Sequence, residues 1–156
     1  MTASTVFGSA SRPAGWIVRA TGRLGGEAAL SAPIRSAADF VHVVDAGLPL
    51  PALEALCRTT LSTDELHRLV IPKRTLAHRR ARGEPLSPEE SDRALRIARI
   101  AGLADDVFAD PDLAAEWLRR PSRAIEGRTP LDLLASEAGA AVVEDQLMRI
   151  AHGIAA

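Results

Sequence analysis

Cysteine and long apolar runs are almost absent from this chain of 156 residues. The single cysteine, Cys57, excludes an intrachain disulfide and any metal cluster built from several cysteines, and it favours a reducing compartment. No apolar run approaches the roughly 20 residues that a membrane-spanning helix needs, and the N-terminus lacks the charged and apolar segments of a secretion signal. We therefore expect a cytoplasmic protein without a membrane span.

Aromatic residues are also scarce, at 3% of the chain with no tyrosine, whereas hydrophobic residues make up 47%. This apolar content is enough for a core, and alanine, leucine, arginine and the acidic residues are frequent. Packing through small and aliphatic side chains favours helices. The composition predicts an all-α protein with one domain, or with two small domains that share a connecting helix.

Net charge is nearly zero, because 19 Lys/Arg and 20 Asp/Glu leave a formal charge of −1. A global field that would attract nucleic acid or an anionic membrane is therefore excluded. The charges are nevertheless segregated, since residues 72–83 hold five Lys/Arg and no acid, whereas residues 94–156 hold seven Arg and ten Asp/Glu. A polyanionic partner would have to bind the local basic segment.

Signatures of catalysis are missing as well. The four histidines are scattered, without an H-E-x-x-H pattern or a nearby cysteine pair that would make a zinc site. The segment "LGG" at residues 24–26 lacks the G-K-[ST] ending and the preceding strand of a phosphate loop. We expect a protein that is not an enzyme and that holds no metal ion and no cofactor.

Helix signals divide the chain into three parts. Residues 1–36 show no sustained period and are expected to form a flexible arm, although "GWIVRATG" within it could add a strand or a helix to a partner. Residues 37–86 are expected to hold several short helices. Residues 87–156 are expected to hold a connecting helix that runs to about Phe108, followed by a second helical unit.

Helix starts are marked by capping residues. Ser62 and Glu65 have the S-x-x-E spacing of a capping box, in which each side chain accepts a hydrogen bond from a free backbone N–H. Ser87 is followed by proline and glutamate in the same way, and Asp110 and Thr129 each precede a proline. These residues predict the starts of four helices.

The basic segment lies on the second of two short helices, "LSTDELHRLV" and "PKRTLAHRRAR", joined by a tight turn. Helix-turn-helix proteins place the second helix of such a pair in the major groove of DNA. With Leu76 as the buried anchor, Arg74 and His78 face outward as base readers, and the other cations lie where they could reach phosphates. The candidate DNA-binding residues are Lys73, Arg74, Thr75, His78, Arg79, Arg80 and Arg82. The alternative is a solvated basic face without a nucleic-acid partner.

Two longer stretches carry a resemblance to a known family. They are "IPKRTLAHRRARGEPLSPEESDRALRIARI" and "VFADPDLAAEWLRRPSRAIEGRTPLDLLASEAGAAVVEDQLMRIAHGI". Through the order and spacing of S-P-E-E-S, W-L, G-R-T-P-L-D-L-L and R-I-x-H-G, residues 37–154 resemble the MbcA/ParS/Xre antitoxins, the partners of RES-domain toxins in bacterial type II toxin-antitoxin systems. Many relatives carry an acid before the final His-Gly, where this chain has Ala151, and residues 1–36 lie outside the resemblance.

The resemblance implies a cytoplasmic, homodimeric antitoxin within a larger toxin-antitoxin complex. Its first half would be an Xre-like helix-turn-helix domain that binds operator DNA, and its C-terminal half would seal the NAD pocket of the toxin. Because such toxins consume NAD, this chain would inhibit that chemistry and would not perform it. The alternative is a stand-alone helix-turn-helix repressor whose C-terminal half only dimerises or senses a ligand.

The end of the chain is the expected toxin contact. In the last helix an inward stripe is formed by Val143, Leu147, Ile150 and Ile154. A short terminal segment with a free carboxylate suits the electropositive pocket that binds the pyrophosphate of NAD. The candidate toxin-binding residues are Arg128, Arg149, His152, Gly153 and Ile154. Arg128 could equally brace its own chain, and Arg149 could form an ordinary intrahelical ion pair with Asp145.

Overall fold

The computed structural model describes residues 14–153. This part of the chain is helical and contains no strand, which confirms the predicted all-α class. It contains, in order, α1 (Gly15–Arg23), α2 (Gly26–Leu30), α3 (Ala37–Ala46), α4 (Leu50–Thr59), α5 (Thr63–Leu69), α6 (Lys73–Arg82), α7 (Pro88–Phe108), α8 (Pro111–Arg119), a short 3-10 helix (Arg123–Ile125), α9 (Pro130–Leu133) and α10 (Glu137–Ala151).

The helix α7 is central, and α1, α3, α4, α8 and α10 pack against it. The residues of α7 that are at most 1% exposed are Ser91, Ala94, Ile97, Ala98, Ile100, Ala101 and Ala104. Small side chains on several faces of one helix allow neighbouring helices to approach it closely. The connecting helix predicted from the sequence is therefore buried between the segments before and after it.

The helix caps predicted from the sequence are present. Side chains that accept hydrogen bonds from first-turn N–H groups are those of Ser62, Ser87, Asp110 and Thr129. At α5 the capping box is complete, because Ser62 Oγ lies 3.2 Å from the Glu65 nitrogen and Glu65 Oε2 lies 2.8 Å from the Ser62 nitrogen. The C-terminal end of α6 is capped by Gly83, which has a φ of 65°. Glycine adopts this left-handed conformation readily because it has no Cβ.

The expected flexible arm over residues 1–36 is wrong for residues 14–36, because these contain α1 and α2 and belong to the core. Ile17 is 4% exposed, and Ala20 and Leu24 are fully buried. The helices α1 and α7 lie close together at Gly102, where an added Cβ would lie 2.7 Å from the Cβ of Arg19. The remainder of the predicted arm, residues 1–13, lies outside the described residues.

The junction between α3 and α4 is tied to the start of α7. The Leu48 N–H donates to the buried Oγ of Ser91 at 2.8 Å, and the Leu86 N–H donates to the Leu48 carbonyl at 3.0 Å. Gly47 has a φ of 91°, and a Cβ there would overlap the carbonyl oxygen of Leu86. A residue without a side chain is therefore required where these two segments cross.

Among the described residues, no single helix is both long and apolar enough to cross a membrane. The consecutive helices Ala37–Ala46 and Leu50–Thr59 meet that length and composition only when taken together, and they are bent by 115° at their junction.

The burial of α1 predicts that two adjacent substitutions have very different effects. Ile17→Ala should lower the free energy of unfolding by about 2 to 5 kcal/mol, because it leaves a cavity in the core. Val18→Ala, at a position that is 59% exposed, should change it by less than about 0.5 kcal/mol. Urea unfolding followed by circular dichroism measures both. Equal, negligible effects would restore the flexible-arm interpretation.

Candidate functional site

The tight turn between α5 and α6 is fixed by contacts from both sides. Val70 and Ile71 in this turn are at most 1% exposed. The His67 Nδ1 on α5 lies 3.0 Å from the Ile71 carbonyl oxygen, and Arg93 on α7 donates to the Val70 carbonyl at 3.3 Å. These contacts hold α6 at a defined angle to α5, as a helix-turn-helix motif requires.

One face of α6 is open to solvent. Arg74 and His78 are exposed on the side opposite Leu76, which is 2% exposed, and Lys73 is exposed beside them. Thr75, the neutral member of the candidate set, is half-buried. Among residues 14–153, Lys73, Arg74 and His78 form no ion pair. The structure therefore brings these three side chains to one exposed, unneutralised face.

The start of α6 differs from that of α5 and α7. Those two helices begin with acidic residues and complete capping boxes, which suits the positive end of the helix dipole. In contrast, α6 begins with Lys73 and Arg74 after Pro72, and no side chain caps it. Two cations and the free N–H groups of the first turn therefore lie together at a helix end that an anion would stabilise.

Arg79 does not share this exposed face. Its side chain is 21% exposed and reaches toward the start of α7, where its Nε lies 2.9 Å from Glu90 Oε2. This contact is an ion pair without hydrogen-bond alignment, because the Nε has no hydrogen-bond partner among the described residues. A true hydrogen bond of 3.1 Å joins its Nη1 to the Pro85 carbonyl. This placement favours a structural role for Arg79 over the predicted phosphate contact.

Arg80 and Arg82 are partly neutralised by neighbouring acids. Arg80 Nη2 lies 3.9 Å from Glu54 Oε1 on α4, and Arg82 Nε lies 2.8 Å from Glu84 Oε1. Both arginine side chains are more than half exposed, at 53% and 60%. Such exposed pairs contribute little to stability, so that either guanidinium is available to a stronger anion.

The last helix, α10, has the predicted inward stripe. Val143 and Leu147 are fully buried, and Ile150 is half-buried. Ile154, which was assigned to both the stripe and the toxin contact, lies outside the described residues. The buried face of α10 thus runs from Gly139 to Leu147, and the half-buried Ile150 extends it into the last turn of the helix.

The other predicted residues at this end are exposed. Arg149 Nε lies 2.8 Å from Asp145 Oδ2 in an intrahelical pair whose side chains are 54% and 62% exposed. The intrahelical ion pair with Asp145, which was the alternative to a toxin contact for Arg149, is therefore present. His152 and Gly153 follow the end of the helix, and both are exposed.

Arg128 lies in a turn that adjoins the end of α10. The turn is closed by hydrogen bonds from the Ser122 N–H to the Arg128 carbonyl, at 3.1 Å, and from the Gly127 N–H to the Ser122 carbonyl, at 2.8 Å. Ser122 lines a groove of about 350 Å³ together with Ile150 of α10. The Arg128 side chain is exposed and forms neither an ion pair nor a hydrogen bond within residues 14–153, which leaves no intrachain brace there.

Two ion pairs that sequence reasoning missed join α5 to the C-terminal helices. Arg119 at the end of α8 donates to both carboxylate oxygens of Glu65, at 2.8 and 2.7 Å, and to the Thr60 carbonyl at 2.8 Å. Arg68 near the other end of α5 pairs with Asp132 in α9. The capping box identified Glu65 from the sequence, but its arginine partner is 54 residues away and no local pattern indicates it.

The Arg119 contact changes the acidity of Glu65. Burial alone would raise the pKa of this carboxyl group, but the hydrogen bonds and charge of Arg119, with those from Ser62, outweigh burial and hold its pKa below the ordinary value of 4.5. The stabilisation of the folded protein by ionised Glu65 is therefore fully present above pH 4.5 and is lost as the pH falls through the lowered pKa of this group.

Other reactive groups do not form a site in the described part of the chain. Cys57 is half-buried, and this burial raises the pKa of its thiol, which disfavours the reactive thiolate. No group of three His, Cys, Asp or Glu side chains within residues 14–153 is placed to hold a metal ion.

Comparison with known proteins identifies both halves of the chain. Residues 39–99 match the "Antitoxin Xre-like helix-turn-helix domain", and residues 103–153 match the "Antitoxin Xre/MbcA/ParS C-terminal toxin-binding domain". An "Antitoxin Xre" from Photorhabdus laumondii is 30% identical over 125 residues, which are 78% of this chain and 84% of that protein. The chain belongs to the Xre/MbcA/ParS antitoxin family. The family resemblance seen in the sequence is thus confirmed.

Other relatives match a shorter region. An "Antitoxin Xre" from Pseudomonas putida is 40% identical over 84 residues, 54% of this chain and 53% of the relative. A "Prs ADP-ribosylating antitoxin" from Sphingobium sp. is 35% identical over 88 residues, 51% of this chain and 55% of the relative. The chain matches about half the length of these two antitoxins. The α5–α6 motif lies within the Xre-like match, whereas α1 and α2 precede both domain matches.

The different placements of Arg79 and Arg74 predict different effects on stability. Arg79→Met should lower the free energy of unfolding by about 1 to 3 kcal/mol, because it leaves the carboxylate of Glu90 without its cation. Arg74→Met, on the exposed face of the same helix, should change it by less than about 0.5 kcal/mol. Urea denaturation compares the two variants with the parent, and equal effects would mean that Arg79 has no structural role.

Proposed function

We propose that this antitoxin binds a RES-domain toxin, seals its NAD pocket with the end of α10, and represses its own operon through α6. The observation that supports this most directly is that one chain joins an Xre-like helix-turn-helix match to a toxin-binding-domain match. The protein would act as a homodimer in the cytoplasm, within a complex that also contains the toxin. It would inhibit an NAD-consuming reaction without catalysing one.

The DNA-binding part of the proposal rests on the cations of α6. Lys73 and Arg74 lie in the first turn, where the helix dipole disfavours positive charge, and no acid among the described residues compensates them. A phosphate at this helix end would satisfy both the cations and the free N–H groups. Arg74 and His78 then face the base edges, while Lys73, Arg80 and Arg82 contact phosphates. Arg79 is removed from the DNA contacts predicted from the sequence, since it pairs with Glu90.

The base-reading role predicts a loss of sequence preference. Arg74→Ala should weaken binding to the upstream DNA of the protein's own gene by about 1 to 3 kcal/mol and bring it closer to binding of scrambled DNA. Arg82→Ala should instead weaken binding to both duplexes equally and reduce the salt slope by about one unit. Fluorescence anisotropy in a salt titration measures both effects. Unchanged binding by both variants would exclude α6 as the DNA contact.

The toxin-binding part of the proposal rests on Arg128 and on the exposed residues His152 and Gly153, which follow α10. The turn of Arg128 and the last turn of α10 flank one groove, and the side chain of Arg128 has no hydrogen-bond or ion-pair partner among the described residues. A free guanidinium is suited to a bidentate contact with a carboxylate on the toxin. Arg149, His152, Gly153 and Ile154 would then lie at the mouth of the NAD pocket, and the neighbouring helices would provide most of an interface of about 1,600 Å².

Truncation tests the role of the chain end. A variant that ends at Met148 retains the buried Leu147 and should keep its helical circular dichroism and its DNA binding, but it should fail to restore NAD in cells that make the toxin. A second variant that ends at Gly153 lacks only residues 154–156. Comparison of the two variants shows whether protection depends on those residues or on the last turn of α10. Full protection by the protein ending at Met148 would place the seal elsewhere on the C-terminal unit.

Purification with the neighbouring reading frame tests the partner. Co-expression of the two genes should yield a complex of fixed stoichiometry that contains a RES-domain protein. A homodimer alone would favour the other hypothesis, a stand-alone repressor whose C-terminal unit dimerises or senses a ligand.

A further inference from the structure

The shorter helix of the helix-turn-helix motif, α5, forms ion pairs with the C-terminal unit at both of its ends. The helix α5 has seven residues, and a helix of that length is marginal without external contacts. Arg119 of α8 contacts its first turn through Glu65, and Asp132 of α9 pairs with Arg68 in its last turn. Both partners belong to the part of the chain that matches the toxin-binding domain, residues 103–153.

The contact of Arg119 is the stronger of the two. The side chains of the Arg68–Asp132 pair are 54% and 31% exposed, whereas those of the Arg119–Glu65 pair are 38% and 14% exposed. A bidentate arginine-carboxylate contact fixes both distance and angle, and exclusion of water strengthens it. Glu65 also accepts the capping hydrogen bond of Ser62, so that one carboxylate both starts α5 and receives Arg119.

Arg119 also fixes the junction that precedes α5. One of its terminal nitrogens donates to the Thr60 carbonyl, and the Ala115 carbonyl accepts from the other at 3.1 Å. Thr60 directly follows Thr59, the last residue of α4, and caps the helix. The guanidinium of Arg119 therefore spans the end of α4, the start of α5 and its own helix.

We propose that Arg119 is a positioning residue for DNA recognition, which sets the orientation of α5 and through the fixed turn that of α6, although it belongs to the toxin-binding unit. Its consequence at the operator rests on the proposed DNA-binding function, but its effect on α5 does not. The C-terminal unit then fixes the orientation of the helix-turn-helix motif. The Xre-like domain alone would therefore not have the DNA-binding geometry of the whole chain.

Two variants break the contact in different ways. Arg119→Lys keeps the positive charge but loses the bidentate geometry, and Glu65→Gln keeps an oxygen for the Ser62 cap but loses the negative charge. Asp112→Asn is the matched control, because it removes a charge from α8 and its carboxylate takes part in no ion pair found among residues 14–153.

Hydrogen exchange of the free full-length protein tests the structural step without DNA or toxin. The amides of residues 66–71 should exchange about five-fold faster in Arg119→Lys and in Glu65→Gln than in the parent and in Asp112→Asn. Unchanged exchange in both variants would overturn the proposal.

Binding to DNA tests the functional step. Both variants should lose about five-fold in affinity for the upstream DNA of the gene, whereas affinity for a scrambled duplex and the salt slope should stay as in the parent. A smaller salt slope, with equal weakening on both duplexes, would make Arg119 a phosphate contact and overturn the positioning role. If the parent binds neither duplex but exchange in α5 still rises, the proposed DNA binding fails while the hold of Arg119 on α5 stands.

Discussion

The close packing around α7 is the constraint on which the rest of the structure depends. Ile97 and Ile100 fill the space between helices, while alanines on the adjoining faces allow α1, α8 and α10 to approach the backbone. The chain has few aromatic side chains to fill a core, since they make up only 3% of its residues. A long shared helix compensates, since it offers apolar surface to both halves at once. The two domain matches are therefore parts of one continuous core.

Local features of the fold could be predicted from the sequence. The helix starts at Ser62, Ser87, Asp110 and Thr129 depend on residues within one turn, and all four are present. The outward direction of Arg74 and His78 follows equally from the helical period and the burial of Leu76. The family was also accessible, because its motifs are short and follow a fixed order.

Contacts between distant segments could not be predicted in this way. The spacing of Ile17, Ala20 and Leu24 fits one helical face, but the glycines on both sides of it weaken the helical pattern in the sequence, and α1 packs mainly against α7, which is distant along the chain. Likewise a cluster of five cations does not reveal that Glu90 neutralises Arg79 or that Glu84 lies beside Arg82. Charge counted along the sequence therefore overstates the unpaired positive charge of α6, which is greatest at Lys73 and Arg74.

The contact between Glu65 and Arg119 also bears on how such proteins recombine during evolution. Exchange of the C-terminal unit between relatives would join a different C-terminal domain to the same helix-turn-helix domain. In this chain that exchange would have to supply an arginine at the end of the helix after α7, since Glu65 would otherwise be a largely buried carboxylate without its cation. The contact between the halves thus restricts which combinations of helix-turn-helix domain and C-terminal domain fold well, so that the two domains are exchanged most easily as a matched pair.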